Sequence, residues 1–199
     1  MSKDFFEVIA ARRTRYSIDN KVSITQARVQ EILEIALKNT PTSFNSQGGR
    51  LVLLFGEHNQ KLWDIVKNTL KAIVPADKFA PTEKKINSFA AGFGAILFFE
   101  DQSVVEKLKT QLPTYKDSFE PWAQQSSGML QYVIWAAFTA EGLGASLQHY
   151  NPLIDAEVAK VFNLPKEWRL IAQMPFGNPT AEPFNKVQQP IETRLKVFK

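Results

Sequence analysis

The chain contains no cysteine and only two histidines, and these shortages exclude several classes of function. Without cysteine there can be no disulfide, thiolate metal site, iron–sulfur cluster or cysteine nucleophile. The two histidines, His58 and His149, do not form the H-E-x-x-H pattern of zinc peptidases, so we expect no metal site.

Long apolar runs are also missing. No stretch approaches the roughly 20 apolar residues of a membrane-spanning helix. The first residues, MSKDFFEVIAARRTR, lack the pattern of a secretory signal. We therefore expect a cytoplasmic protein with no membrane partner.

The usual nucleotide-binding and hydrolase motifs are absent as well. The pairs Gly92/Gly94 and Gly142/Gly144 are followed by leucine where a dinucleotide fingerprint needs its third glycine. No phosphate-binding loop of the G-x-x-x-x-G-K-[ST] type occurs, and Ser146 does not stand in G-x-S-x-G. Paired carboxylates in a context for acid–base catalysis are not evident.

What remains is an ordinary globular composition with a small basic excess. The 199 residues are 44% hydrophobic, which is enough for a single domain over residues 1–199 with a substantial core. Lysine and arginine number 24 against 20 acidic residues, a net charge of +4. The basic residues are scattered, so the excess fits either a nucleic-acid-binding module or a phosphate-bearing small molecule.

Apolar periodicity predicts helices that alternate with strands, which indicates an α/β or α+β layered domain. The predicted helices cover residues 4–12, 23–39, 59–72, 126–141 and 154–161, and the strands cover 51–55, 95–99, 145–147 and 169–174. Residues 73–92 are ambiguous, and we expect a loop and a short helix there. Ser23 and Gln26 resemble a capping box at the start of the second helix. The helix at 126–141 is apolar on nearly every side, so we expect it to be buried in a core or a subunit interface.

Three polar segments carry the candidate chemistry, and each has an ordinary alternative. Arg12-Arg13-Thr14-Arg15-Tyr16 could grip a phosphate or could be a solvated basic helix end. The loop Pro41–Gln47 offers hydroxyls and amides for a polar ligand, but its residues also form ordinary turns. In the segment from Gly142 to Pro152, His149 could contact a ligand or could be a structural histidine.

Together, in this order, the three segments resemble the nitroreductase superfamily of FMN-dependent oxidoreductases. The variants of these motifs resemble the branch of yeast nitroreductase-like proteins and bacterial copper-induced nitroreductases. The resemblance implies an α+β, three-layer α/β/α fold with a central mixed, mostly antiparallel sheet flanked by helices. It also implies an intertwined homodimer in which the C-terminal tail, about 178–199, extends over the partner subunit.

The resemblance implies a set of residues that bind FMN non-covalently. They are Arg12, Arg13, Thr14, Tyr16, Pro41, Thr42, Ser43, Asn45, Gln47, Gln148, His149, Tyr150, Lys186 and Arg194. The basic residues would hold the phosphate, the Pro41–Gln47 loop would come from the partner subunit, and backbone amides near His149 would approach the flavin ring. Phe44, His149 and Tyr150 would line the substrate pocket.

The sequence departs from the family pattern at three places. Tyr16 stands where many members have a basic residue, Gly48-Gly49-Arg50 replaces the usual Pro-Trp, and His149-Tyr150 replaces a common Glu-Gly. Backbone contacts survive such replacements and side-chain contacts do not. Substrate specificity therefore cannot be carried over.

The implied function is an NAD(P)H oxidoreductase that reduces nitroaromatics or quinones by ping-pong hydride transfer, with NADH or NADPH as donor. No catalytic side chain is required, because the flavin supplies the chemistry. An alternative is a flavin-binding regulatory or stress-response protein with incidental reductase activity. A basic nucleic-acid-binding module is a further alternative, and it predicts salt-dependent binding and no flavin colour.

Overall fold

The computed structural model describes residues 4–199. Its helices are α1 (Phe5–Ala11), α2 (Gln26–Asn39), α3 (Gly56–Lys71), α4 (Phe79–Ala90), α5 (Gln102–Gln111), α6 (Phe119–Ala140) and α7 (Asp155–Val161). Its strands are β1 (Ile18–Asp19), β2 (Gly49–Phe55), β3 (Gly94–Asp101), β4 (Gly144–Ala145) and β5 (Trp168–Pro179). Among residues 4–199, no helix is both long enough and apolar enough to span a membrane.

The strands form one sheet in the order β1-β5-β3-β2, and β4 pairs with β5. Every ladder between these strands is antiparallel, and a single bridge between Thr14 and Ala145 is parallel. All eight residues of β3 are buried, because this central strand is covered on both faces. A strand without an exposed face reads in sequence as a continuous apolar run.

Helices pack on both faces of the sheet, so the predicted α+β three-layer fold is confirmed. Ile96 and Phe98 of β3 point to a core formed with α2 and α6. The alternate residues Ala95, Leu97 and Phe99 point to a second core formed with α3, α4 and α7. This division follows from the two-residue period of a strand.

The first turns of the N-terminal helices are fixed by side-chain caps. Asp4 and Glu7 form a reciprocal capping box at α1. At α2 the cap is Thr25, whose side chain accepts a hydrogen bond from the Arg28 amide. The expected Ser23 capping box is therefore wrong, because the helix begins two residues later than that pattern indicates.

The long helix α6 is only half buried within the single chain, so the core encloses one side of it and burial of the other side in a subunit interface stays a prediction. Leu130 and Ile134 lie in the core, with 6% and 0% of their surface exposed. Met129, Tyr132 and Val133 on the opposite side are 42%, 39% and 41% exposed. One apolar face of α6 is thus open in the single chain.

Two elements have no counterpart in the predicted pattern. Helix α5 buries only Val105, so its apolar periodicity is weak. Asp101 caps its N-terminus, and the Asp101 carboxylate accepts from the Ser103 amide. Strand β1 contains only two residues and exists because it pairs with Asn178 and Pro179 at the end of β5. The ambiguous region 73–92 contains the twelve-residue helix α4.

Candidate functional site

The basic segment after α1 lies directly against the segment that follows the two glycines at the end of α6. The amide of Arg15 donates to the carbonyl of Ala145 at 3.0 Å, and Thr14 forms a parallel bridge with Ala145. Gly144 has no room for a side chain here, because a Cβ would lie 3.0 Å from the Cβ of Arg15. The structure therefore brings two of the three predicted segments together.

Two arginines of this basic segment hold the start of the C-terminal tail. Arg13 donates from Nη2 to the carbonyl of Phe184. Arg15 donates from Nη1 to the carbonyl of Ala181 at 2.7 Å and to the carboxylate of Glu182 at 3.3 Å. The tail leaves the sheet by crossing this segment, and Arg15 contributes a contact that the family pattern did not indicate.

Arg12 points in another direction, toward α6. Its guanidinium carbon lies 4.3 Å from the ring centre of Trp135, within the range of a cation–π contact. Its Nε is buried and has no hydrogen-bond partner among residues 4–199. A planar cation with an unused donor is a good partner for an anionic oxygen.

The segment 146–150 is held to β5 by paired hydrogen bonds. The Gln148 amide donates to the Gln173 carbonyl at 2.7 Å, and the Gln173 amide donates back at 2.9 Å. The Tyr150 amide donates to the side-chain oxygen of Gln173 at 2.8 Å. The amides of Gln148 and Tyr150 are therefore already occupied. The His149 amide between them donates to no described residue, and His149 is exposed.

The Tyr150 side chain is part of the interior rather than a free polar group. Its ring lies 6.3 Å from Trp63 in an edge-on arrangement. Burial, with a smaller contribution from Tyr16, raises the pKa of Tyr150 to about 12. Tyr150 thus stays protonated at neutral pH and cannot serve as a base there.

The loop from Pro41 to Gln47 has a tight backbone in which three non-glycine residues adopt positive φ. These are Phe44, Asn45 and Gln47, at 54°, 51° and 51°. The hydroxyl of Thr42 accepts from the Gln47 amide at 3.0 Å and closes the turn. A positive φ is unfavourable for residues other than glycine and asparagine. Backbone strain of this kind is concentrated at functional sites.

An ion pair at the sheet edge fixes the end of this loop. Arg50 donates from Nη1 to the carbonyls of Gln47 and Gly49, at 2.7 and 3.1 Å, and from Nη2 to Asp101 at 2.9 Å. Burial alone would raise the pKa of Asp101, but hydrogen bonds from Ser103 and the Arg50 charge outweigh it and hold the pKa below its usual value. Asp101 therefore remains ionised and keeps Arg50 in place.

Phe44 projects into an aromatic cluster at the start of α6. Its ring centre lies 5.8 Å from that of Tyr115, 5.9 Å from Phe119 and 6.1 Å from Trp122. Phe44 is nevertheless 56% exposed. The cluster is an open aromatic surface at the end of the loop, suited to flat apolar ligands.

The loop and the basic segment lie at opposite ends of α6 within one chain. Trp122 touches the loop and Trp135 touches Arg12. Thirteen residues of helix separate these two tryptophans, a distance of about 20 Å at 1.5 Å per residue. One chain therefore does not bring all three predicted segments to a single place.

Lys186 and Arg194, predicted from the tail, are exposed and form no ion pair or side-chain hydrogen bond with other described residues. The same tail exposes large apolar side chains to solvent, and Val187 and Phe198 are both 92% exposed. The sequence did not indicate the contact of Arg15 with the tail, the Arg50–Asp101 pair or the role of Gln173. A glutamine inside an otherwise apolar strand was the one signal that could have indicated Gln173.

The structure is thus a layered α+β domain with two separate candidate sites. One is the basic segment after α1, and the other is the polar, aromatic loop Pro41–Gln47. The model of the nitroreductase family matches residues 9–178, which is most of the chain. The chain therefore belongs to the nitroreductase family, a family of oxidoreductases.

Similar proteins cover nearly the whole length. HBN1 of Saccharomyces cerevisiae is 37% identical over 196 residues, covering 98% of this chain and 96% of the relative. The nitroreductase FRM2 of the same yeast is 31% identical over 186 residues, covering 92% of each. The nitroreductase CinD from Lactococcus lactis, solved in complex with chloramphenicol, is 42% identical with a TM-score of 0.90 and covers 98% of this chain and 100% of that one. These relatives confirm the predicted branches.

Proposed function

We propose that this protein is an FMN-dependent NAD(P)H oxidoreductase that reduces nitroaromatic or quinone acceptors, with the cytoplasm as its compartment. The observation that carries the proposal is the contact between the basic segment that follows α1 and the segment that contains His149, whose amide donates to no described residue. A phosphate-bearing flavin requires cationic side chains that bind its phosphate and an unpaired amide that can donate to its ring system. Structures of nitroreductase CinD in complex with 4-nitrophenol and with chloramphenicol support the choice of acceptor class.

The residues present fit FMN. Arg12 has an unused buried donor, and Arg13 and Thr14 stand beside it, only partly covered. Two guanidiniums and a hydroxyl match the charge and the acceptor oxygens of a phosphate monoester. The free His149 amide could donate to an acceptor atom at the edge of the ring system. Lys186 and Arg194 are proposed as further phosphate contacts.

We propose that the cofactor site is completed by a second copy of this chain. The exposed face of α6 has Met129, Tyr132 and Val133 between Trp122 and Trp135. Gly128 beside them has nothing within 4 Å of a Cβ position, so another helix can approach closely. An exposed apolar face of this kind is typical of a homodimer interface.

A two-fold axis near Gly128 would also bring together the loop Pro41–Gln47 and the basic segment, which lie at opposite ends of α6 in one chain. If two copies of α6 pack antiparallel, the loop at one end of the first copy meets the basic segment at the other end of the second. Each dimer then has two sites, each with Arg12 and Arg13 from one protomer and Thr42, Ser43, Asn45 and Gln47 from its partner. The exposed apolar residues of the tail would cover the partner in the same assembly.

In this site the protein binds and orients rather than catalyses. FMN, when bound, supplies the transfer of a hydride from NAD(P)H and of electrons to the acceptor. The arginines hold the phosphate, the His149 amide fixes the ring edge, and the Phe44 cluster forms a wall for flat substrates. His149 is a positioning residue, since water can supply the proton.

Donor and acceptor would use the same open face in turn, because the chain has no separate nucleotide-binding motif. Initial rates at several acceptor concentrations should therefore give parallel double-reciprocal lines. Intersecting lines would mean that both substrates bind together, and would refute the shared face.

The absorbance spectrum of the purified protein tests the proposal first, and NAD(P)H oxidation with 4-nitrophenol tests it second. A yellow protein with rapid, acceptor-dependent oxidation supports the enzyme. A flavin-loaded protein with negligible turnover would support a regulatory role instead. A colourless protein that cannot be loaded with FMN would refute both.

A further inference from the structure

A cavity of about 250 Å³ lies behind the Pro41–Gln47 loop, between that loop, the end of α2 and the first half of α6. Apolar groups of Leu37, Ala123 and Leu130 form part of its lining. Ser126 and Ser127 of α6 and Glu100 of β3 contribute polar groups. Thr42 and Gln47 also border the cavity, so it adjoins the proposed cofactor site through the loop. The volume is below that of pockets for drug-sized molecules, so its guest must be small.

Glu100 is the unusual member of this lining. It is only 4% exposed, yet its carboxylate makes no hydrogen bond or ion pair within residues 4–199. It fits against the backbone only because residue 48 is glycine, since a Cβ there would lie 2.1 Å from Glu100 Oε1. Buried carboxylates are normally paired or hydrogen-bonded, so this one lacks a partner.

The cations nearest to Glu100 are already engaged elsewhere. Arg50 pairs with Asp101 at 2.9 Å, and Arg169 pairs with Glu120 at 2.8 Å. Lys38 at the cavity wall is exposed and stands 4.0 Å from Glu34. None of these cations pairs with Glu100, so within residues 4–199 its carboxylate has no ion-pair partner when it is ionised.

We propose that this cavity binds a small organic monocation, a primary amine with a compact aliphatic body, through Glu100. The ammonium group would supply the missing hydrogen bonds to the carboxylate. Ser126 donates its own proton to the Trp122 carbonyl at 2.9 Å, which leaves its oxygen free to accept from a second ammonium proton. Leu37, Ala123 and Leu130 would enclose the aliphatic part.

The site implies a pH dependence that a purely apolar cavity would lack. Burial raises the pKa of Glu100 to about 7; Arg169 and Arg50 oppose the rise, and Asp101 and Glu120 add to it. The amine needs the ionised carboxylate, so its affinity should fall as the pH drops. The ionised fraction decreases about 30-fold between about pH 8.5 and about pH 5.5, and the affinity should follow it.

Cyclopentylamine is a suitable probe, with cyclopentanol as its neutral counterpart. Neither has an aromatic ring that could stack on a flavin. Calorimetric titration of the intact protein should show one amine per chain and at least tenfold weaker binding of the alcohol. The same titrations with Glu100→Gln should lose the preference for the amine, while the flavin absorbance stays as in the wild type.

A second variant keeps the test decisive if Glu100→Gln is poorly folded. Gly49 borders the cavity, and a Cβ there would meet only Leu130, at 3.4 Å. Gly49→Leu should therefore fill the space and abolish amine binding with Glu100 intact. No amine binding by the wild type, or binding that is insensitive to pH and to both substitutions, would overturn the proposal.

Discussion

Replacing Arg12 and Arg13 by alanine should release the flavin while leaving the fold intact. Each guanidinium is expected to make charge-assisted hydrogen bonds to the phosphate. Such a bond contributes about 1.5–3 kcal/mol, so losing one arginine should weaken FMN binding about 10- to 150-fold. The double variant should lose at least about 100-fold, because neither cation can replace the other.

The two single variants should differ in a second way. Arg13→Ala also removes the hydrogen bond to the Phe184 carbonyl, so the tail should become more sensitive to proteolysis. Arg12→Ala removes the contact with Trp135 and should instead change the fluorescence of that indole. If the tail of Arg13→Ala is no more sensitive to proteolysis than that of the wild type, this hydrogen bond does not hold the tail in place.

Fluorescence titration of the flavin-free protein with FMN measures these losses. Arg28→Ala is a matched control, because Arg28 is an exposed arginine that, among residues 4–199, forms ion pairs with Glu31 and Glu141 and no others. Its FMN affinity should equal that of the wild type. Full FMN occupancy in the double variant would refute the phosphate assignment.

Other consequences can be tested on the same protein. Val133→Glu should give a monomer without flavin, as seen by light scattering, whereas Ile73→Glu at another exposed apolar position should remain dimeric. Burial raises the pKa of Glu100 from 4.5 to about 7, so the folded state keeps a proton that the unfolded chain releases. The wild type should therefore lose up to about 3 kcal/mol of stability as the pH rises through this window. Urea unfolding should show that Glu100→Gln does not have this loss of stability. His149→Ala should still allow NAD(P)H to reduce bound FMN in stopped-flow experiments, and complete loss of reduction would mean that the side chain does more than position the ring.

The layered fold could be predicted because its main signals are local. The apolar run at 95–99 is the centre of β3. Val29, Ile32 and Leu33 of α2 face the core as their periodicity indicates, whereas Leu37 is 40% exposed. Short or weakly apolar elements could not be predicted in this way. Strand β1 depends on its pairing with Asn178 and Pro179, a contact that is distant in sequence.

Only part of the candidate site could be predicted from the sequence, for the same reason. The basic residues Arg12 and Arg13 were found as a motif, but their different partners depend on the tertiary fold. The pairing of Arg50 with Asp101 joins residues 51 positions apart. The open face of α6 could not be told from a buried one, because its exposed residues are as apolar as those in its core.

Mixed dimers can show whether each flavin site combines residues from two copies of the chain. One variant would carry Arg12→Ala and Arg13→Ala, and the other Ser43→Ala and Asn45→Gly, glycine being suited to the φ of 51° at residue 45. Neither should bind FMN alone. After the two variants are mixed and their subunits exchange, about one quarter of the sites should combine intact arginines with an intact loop and regain FMN. No recovery after verified exchange would contradict the shared site and place the cofactor within a single chain.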